Sequence, residues 1–167
     1  NDQILPIIRA FLTEYNISTY NETTGQGLVR HILTRVGFTT GEVMVCLIVN
    51  GKKLPHADEL ISRLTKISGM TSICLNINTE KTNKILGPTC KTLWGSPYIT
   101  DYIGNVKYRI SPLSFYQVNP VQTERLYGTA LEFADLNGGE TVWDLYCGIG
   151  TISSFLAQKA GKVCGVE

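Results

Sequence analysis

Residues 142–151, Val-Trp-Asp-Leu-Tyr-Cys-Gly-Ile-Gly-Thr, give the clearest indication of the fold and lie close to the end of a chain of 167 residues. A short apolar run from Thr141 to Tyr146 leads into a glycine-rich turn, and residues 152–160 then have the spacing of a helix. Residues 162–166 form a second apolar run. This order predicts one β-α-β unit, the building block of a parallel sheet.

The glycines and acidic residues of this unit predict a nucleoside-cofactor site. Gly148 and Gly150 let the backbone approach a ligand, and Glu167, at the end of the second strand, can accept hydrogen bonds from two ribose hydroxyls. Asp144 suits a cofactor with an ammonium group, such as S-adenosyl-L-methionine, and would repel a pyrophosphate. Ser153 stands where a dinucleotide fingerprint has its third glycine. A dinucleotide-binding oxidoreductase is therefore the less favoured alternative.

The chain is predicted to contain two domains. Residues 1–110 alternate helical and strand-like runs joined by short turns, which favours a small, mostly antiparallel α+β domain. Residues 111–167 are predicted to begin an α/β, Rossmann-like domain, whose first helix opens at Asn119-Pro120. Because this second domain is incomplete and the chain has no initial Met, we expect the sequence to be part of a longer protein. The helices and strands predicted in the first domain are 2–14, 28–36, 42–50, 56–67, 71–78, 85–94, 98–103 and 106–110.

Composition and charge narrow the class of protein. The chain is 43% hydrophobic and 17% charged with net charge +1, and no apolar run approaches the roughly 20 residues that a membrane span needs. Residues 1–110 hold 12 Lys and Arg against 8 Asp and Glu, whereas residues 111–167 hold 3 against 6. The five cysteines are widely spaced without a Cys-x-x-Cys pair. No metal site is therefore predicted, and a reduced, cytoplasmic setting is favoured.

Two motifs together resemble the RNA uracil-5 methyltransferase family. Residues 144–151, Asp-Leu-Tyr-Cys-Gly-Ile-Gly-Thr, are similar to motif I of those enzymes, and residues 115–119, Phe-Tyr-Gln-Val-Asn, are similar to the F-x-Q-x-N segment that precedes their methyltransferase fold. Residues 27–31 and 40–45 also resemble their central domain. The resemblance extends from about Gly25 to Glu167.

The resemblance implies an activity and roles for particular residues. The family transfers a methyl group from S-adenosyl-L-methionine to C5 of a uridine in RNA, and we expect ribosomal RNA rather than transfer RNA as the substrate. Gln117 would bind the methionine end of the cofactor, Tyr146 would line its site and Glu167 would hold the ribose. The family's cysteine nucleophile and its carboxylate base lie in later motifs, so no catalytic residue is expected in this chain, which is predicted to be inactive alone.

Several residues have two interpretations. Four basic side chains of the first domain could touch RNA phosphates or simply be solvated: Arg30, Arg35, Lys52 and Lys53. A non-catalytic RNA-binding module carried by residues 1–110 is accordingly a second alternative. Phe115 and Tyr116 are expected in the core rather than stacked on a base, and Cys147 is expected to pack beneath the turn. Self-association through an exposed sheet edge is also predicted.

Overall fold

The computed structural model describes residues 2–167, which form two compact units. The first unit extends to Ile99 and includes residues 111–113, and the second comprises residues 100–110 and 114–167. The predicted boundary after residue 110 therefore differs from this division by one hairpin. The hairpin groups with the second unit because the hydroxyl of Tyr108 donates to the carbonyl of Thr151 at 2.8 Å.

The first unit is a four-stranded sheet with two helices. The strands lie in the order β1-β2-β3-β4. Their bounds, with those of the helices, are α1 (Ile4–Glu14), β1 (Val29–Val36), β2 (Val43–Val49), α2 (Ala57–Leu64), β3 (Met70–Ile77) and β4 (Thr89–Gly95). These elements match the predicted ones to within a few residues, except that β4 begins four residues later than predicted.

The pairing of β2 with β3 departs from the expected antiparallel arrangement. β1 with β2 and β3 with β4 are antiparallel, but β2 and β3 run parallel, with Cys46 opposite Cys74. The chain between β2 and β3 forms α2, which provides the crossover that parallel strands require. The prediction of a mostly antiparallel sheet therefore holds for two of its three pairs.

The two central strands, β2 and β3, are buried on both faces. One face packs with α1 and α2 in an apolar core that contains Val45, Leu47, Ile73 and Leu75. The other face carries three thiols, of Cys46, Cys74 and Cys90. The hydrogen bond with Cys90, together with burial, raises the pKa of Cys74, and the hydrogen bond with Cys46 raises that of Cys90 to about 11. The thiols of Cys74 and Cys90 therefore remain protonated at neutral pH.

The second unit joins a hairpin to a β-α-β segment. Its elements are β5 (Ile99–Ile103), β6 (Val106–Ile110), α3 (Pro120–Ala134), β7 (Thr141–Leu145), α4 (Thr151–Leu156) and β8 (Lys162–Val166). The predicted cap of α3 is confirmed, since the side chain of Asn119 accepts from the backbone N–H of Gln122 at 3.2 Å. Parallel pairing of β7 with β8 confirms the predicted β-α-β unit. α4 is shorter than the predicted helix 152–160 and is followed by turns.

One face of the β7–β8 pair is open. Trp143 and Leu145 alternate with Val142 and Asp144 along β7, and they are 64% and 62% exposed. Such large apolar side chains on a strand face are usually covered by another element or another chain. Self-association through this sheet stays a prediction.

Candidate functional site

The turn between β7 and α4 lies at the carboxyl ends of both parallel strands. The strands are in register with Leu145 opposite Val166. The backbone N–H groups of Tyr146 and Cys147 both donate to the carbonyl of Val166, at 2.8 and 3.0 Å. These two bonds fasten the start of the turn to the end of β8. In open parallel sheets, this edge is where ligands bind.

The turn itself uses left-handed backbone conformations. Gly148 and Gly150 have φ angles of +56° and +77°, and the N–H of Gly150 donates to the carbonyl of Cys147 at 2.8 Å. Tyr146 also has a positive φ, of +73°, which is rare for a bulky residue, and its side chain is 91% exposed. Strained backbone of this kind concentrates at functional sites.

Glu167 reaches from the end of β8 across to the glycine turn. Its Oε2 accepts a hydrogen bond from the N–H of Gly148 at 2.7 Å. A Cβ placed on Gly148 would meet nothing within 4 Å, so the outer side of the turn is open. A carboxylate has capacity for several hydrogen bonds and can accept from a ligand while it holds this amide. The carboxylate and the open turn thus fit the ribose of a nucleoside cofactor.

Asp144 has a partner within the unit. The hydroxyl of Ser153 donates a hydrogen bond to its Oδ2. This contact ties the end of β7 to the first turn of α4 and gives Asp144 a role in bracing the loop. It also explains the serine at the position where a dinucleotide fingerprint would have glycine, because glycine could not make this bond.

Two tyrosines that the sequence did not single out hold the start of α4. The hydroxyl of Tyr108 donates to the carbonyl of Thr151 at 2.8 Å, and that of Tyr127 lies 3.0 Å from Thr151 Oγ1. Both rings are buried. Burial, with a smaller effect of Tyr127, raises the pKa of Tyr108 to about 12, so its hydroxyl keeps its proton at neutral pH. Together they fix the residue that follows the glycine turn.

Cys147 packs against β8 at very close range. A Cβ added to Gly165 would lie 2.8 Å from Cys147 Sγ and 3.2 Å from its Cβ. Glycine at position 165 therefore leaves just enough room for the thiol. This packing agrees with the interpretation of Cys147 as part of the turn's support.

An open pocket of about 410 Å³ borders the turn. Residues of the turn, of α4 and of β8 line it: Cys147, Gly148, Ile149, Gly150, Ser153, Ser154, Ala157, Val163 and Gly165. The backbone of the turn therefore faces a space large enough for part of a small ligand.

The segment before α3 is more exposed than predicted. Gln117 is half-buried and Phe115 is 74% exposed, so the expectation that Phe115 packs in the core is wrong. Tyr116 is half-buried, and its ring lies 6.1 Å from that of Tyr108. Burial, with a smaller contribution from Asp101, raises the pKa of Tyr116. The ring of Phe115 thus faces solvent, whereas the ring of Tyr116 faces the interior.

The four basic residues considered for RNA contact lie in different environments. The guanidinium of Arg30 donates to the carbonyls of Asn78, Glu80 and Thr82 and lies over the ring of Tyr20. Arg35 is half-buried and donates to the carbonyl of Pro112, and burial lowers its pKa. The side chains of Lys52 and Lys53 are exposed next to the turn after β2. Of the four, the two lysines are thus the ones most open to solvent.

Within residues 2–167 we find neither a metal-binding cluster nor a membrane-spanning helix. The His, Cys, Asp and Glu side chains of this range form no group of three or more suited to an ion. The helices of the same range are too short or too polar to cross a bilayer.

Comparisons with known proteins identify the relatives of this chain. No family model matches it. The chain is 53% identical over 167 residues to an uncharacterized RNA methyltransferase of Clostridium tetani and 51% identical over 168 residues to one of Halalkalibacterium halodurans. These alignments cover 99% and 100% of this chain but only 36% and 37% of the relatives. The chain therefore spans little more than a third of the length of the curated relatives it matches.

A solved structure has the same fold over almost the whole chain. It is the tRNA (uracil-54, C5)-methyltransferase of Pyrococcus abyssi in complex with S-adenosyl-L-homocysteine. The TM-score is 0.78 at 30% identity, and the match covers 98% of this chain and 39% of that one. The glycine turn of this chain lies at the carboxyl ends of two parallel strands, the edge where open parallel sheets bind ligands. The chain is thus similar over almost its whole length to part of proteins that are named RNA methyltransferases, the class that the two sequence motifs resemble.

Proposed function

We propose that this chain carries the S-adenosyl-L-methionine site of an enzyme that methylates C5 of a uridine in RNA, with ribosomal RNA favoured over transfer RNA. The observation that carries the proposal is the hydrogen bond from Gly148 to Glu167, which holds a carboxylate at the mouth of the glycine turn. The structural relative from Pyrococcus abyssi, with its bound S-adenosyl-L-homocysteine, supports the choice of cofactor and of uracil C5.

Each residue of the site is proposed to contact a different part of the cofactor. Glu167 accepts from the ribose hydroxyls, the backbone of Gly148 and Gly150 allows close approach, and Tyr146 covers the ligand from the exposed side of the turn. Gln117 holds the methionine end, because an amide can donate to a carboxylate and accept from an ammonium group. When bound, the cofactor supplies the methyl group as an electrophile.

Asp144 acts on the cofactor indirectly in this proposal. Its bond with Ser153 fixes the turn, so the aspartate keeps Gly148 and Gly150 in place. The β7-α4-β8 segment is proposed to be the start of a Rossmann-like methyltransferase sheet, and the parallel register of its strands supports this.

The chain by itself is proposed to bind cofactor without transferring the methyl group. The family chemistry requires a thiolate that adds to C6 of the base and a base that removes the C5 proton. Cys147, which lies in the turn, does not suit the first role, since its thiol is packed against Gly165. Incubation of the chain with methyl-labelled cofactor and RNA should leave the RNA unlabelled; incorporation of label would show that a nucleophile is present.

A cytoplasmic location stays a prediction.

A chimera tests the proposed reaction. The matching third of the Halalkalibacterium halodurans relative is replaced by this chain, and 5-methyluridine is measured by mass spectrometry in separated ribosomal and transfer RNA. We expect 5-methyluridine in the ribosomal fraction, and Glu167→Gln should reduce it strongly. A chimera that folds and binds cofactor but forms no 5-methyluridine would refute the reaction, and product in transfer RNA alone would refute the choice of substrate.

A further inference from the structure

A second open pocket, of about 480 Å³, lies on the β6 side of the glycine turn. Its lining residues are Lys107, Tyr108, Arg109, Ile149 and Ser154. Ile149 and Ser154 also line the 410 Å³ pocket at the turn, so the two spaces adjoin within the second unit. Among these described lining residues two are cationic and none is acidic.

Strand alternation places both cations on one side of β6. Tyr108 and Ile110 are buried, whereas Lys107 and Arg109 are exposed. Side chains two residues apart on a strand share a face and are separated by about 7 Å along it. Lys107 Nζ lies 6.0 Å from the centre of the Tyr102 ring, which holds the ammonium near the hairpin. We refer to these two residues as the β6 cation pair.

The charge of the surroundings makes the β6 cation pair unusual. Residues 100–110 and 114–167 contain five Lys and Arg against seven Asp and Glu. The other three basic residues are on α3, after α4 and at the start of β8: Arg125, Lys159 and Lys162. Within an acidic unit, the two cations of β6 thus lie together beside the turn that carries the cofactor residues. A polyanion that reaches the glycine turn would meet these two cations first.

We propose that Lys107 and Arg109 bind the phosphate backbone of the RNA substrate where it enters the methyl-transfer site. This inference rests on the proposed function. Phosphate contacts from Lys and Arg position a nucleic acid without reading its sequence, which is what an enzyme needs in order to hold a uridine next to a cofactor. The alternative ligand, the carboxylate of the cofactor, needs one cation in an enclosed site, whereas this pocket is open and has two. The RNA-contacting surface is thus assigned to β6 of the second unit.

Binding of RNA by the chain tests this assignment. Fluorescence anisotropy with a labelled, uridine-containing RNA hairpin is measured over a range of salt concentrations, for the wild-type chain and for a Lys107→Gln, Arg109→Gln variant. We expect affinity to fall about tenfold or more and the salt dependence to become shallower by about one counterion per lost contact. The matched control is Lys159→Gln, Lys162→Gln, which removes the same charge from the amino-terminal edge of β8, and it should stay within about twofold of wild type. Lys107→Arg, which keeps the charge, should retain binding.

The binding of S-adenosyl-L-homocysteine separates the inference from the proposed function. The β6 variant should bind the cofactor product as wild type does. Equal loss of RNA affinity in both double variants, unchanged affinity in the β6 variant, or no RNA binding by the wild-type chain would overturn the inference while cofactor binding stands. Weaker cofactor binding in the β6 variant would overturn it in favour of a carboxylate subsite. Failure of the wild-type chain to bind cofactor would instead contradict the proposed function.

Discussion

Glu167 closes the glycine turn by accepting the N–H of Gly148 at 2.7 Å. Gly148 follows β7 and Glu167 follows β8, and the parallel register of the two strands brings them together. The bond aligns a carboxylate with the exposed backbone of the turn. A ligand that contacts both would find them already in position.

Glu167→Gln should weaken the binding of S-adenosyl-L-homocysteine about tenfold or more, because hydrogen bonds to a charged acceptor contribute about 1.5–3 kcal/mol. Glutamine keeps the size of the side chain and one carbonyl acceptor, so the turn should stay folded. Isothermal titration calorimetry measures the change. Glu132→Gln on α3 removes the same charge from an exposed position and should bind normally; equal weakening in both variants would assign the effect to net charge.

Gly165→Ala should displace the turn, since the added methyl group would lie 2.8 Å from Cys147 Sγ. We expect a loss of about 1–3 kcal/mol in stability, as for other overpacked sites. Chemical denaturation followed by circular dichroism measures it. Cys147→Ala alone should retain cofactor binding, and in the Gly165→Ala background it should recover part of the lost stability. Lack of any recovery would show that the thiol is not the obstacle.

Tyr127→Phe should lower the melting temperature of the second unit by removing the hydroxyl that lies 3.0 Å from Thr151 Oγ1. One such hydrogen bond contributes about 1 kcal/mol. Tyr102→Phe, on the neighbouring hairpin, is the matched control and should melt like wild type. If Tyr127→Phe unfolds like the control, then the tyrosine does not support the start of α4.

The stability of the second unit should depend on pH through Glu140. Hydrogen bonds from the N–H groups of Asn137 and then of the loop residues around it hold the pKa of this carboxyl below its usual value of 4.5. A depressed pKa in the folded state stabilises the fold above about pH 4.5, and this contribution is lost as the pH falls through the lowered pKa. Thermal unfolding of wild type between pH 3 and 6 should show the loss, and Glu140→Gln should flatten it. An unchanged slope in the variant would assign the acid sensitivity to other carboxyls.

Local patterns predicted most elements of this chain, because each depends on neighbours in sequence. The cap at Asn119, the glycine turn and the strand before it follow from residue types within one or two turns of chain. The parallel pairing of β2 with β3 was harder to predict, because the helix predicted at 56–67 had to be recognised as the crossover between the two strands. A turn signal between two strands favours an antiparallel pair, whereas a helix between them favours a parallel pair.

The site was predictable where it lies within one β-α-β unit, and less so elsewhere. The placement of Glu167 opposite the glycine turn follows from the register of two strands joined by one helix. The contacts of Tyr108 and Tyr127 with Thr151 join residues far apart in sequence, and no local pattern indicates them. The contacts of Arg30 were equally hidden in the sequence. Its charge suggested contact with RNA, but its guanidinium donates to three backbone carbonyls that only the folded chain brings together.

We propose that the turn around Gly148 and Glu167 binds S-adenosyl-L-methionine. The most direct test is a calorimetric titration of this chain with S-adenosyl-L-homocysteine, with NAD as the comparison ligand. We predict saturable binding of S-adenosyl-L-homocysteine at one site for each chain and no measurable binding of NAD. Tighter binding of NAD, or no binding of S-adenosyl-L-homocysteine by the folded chain, would contradict the account.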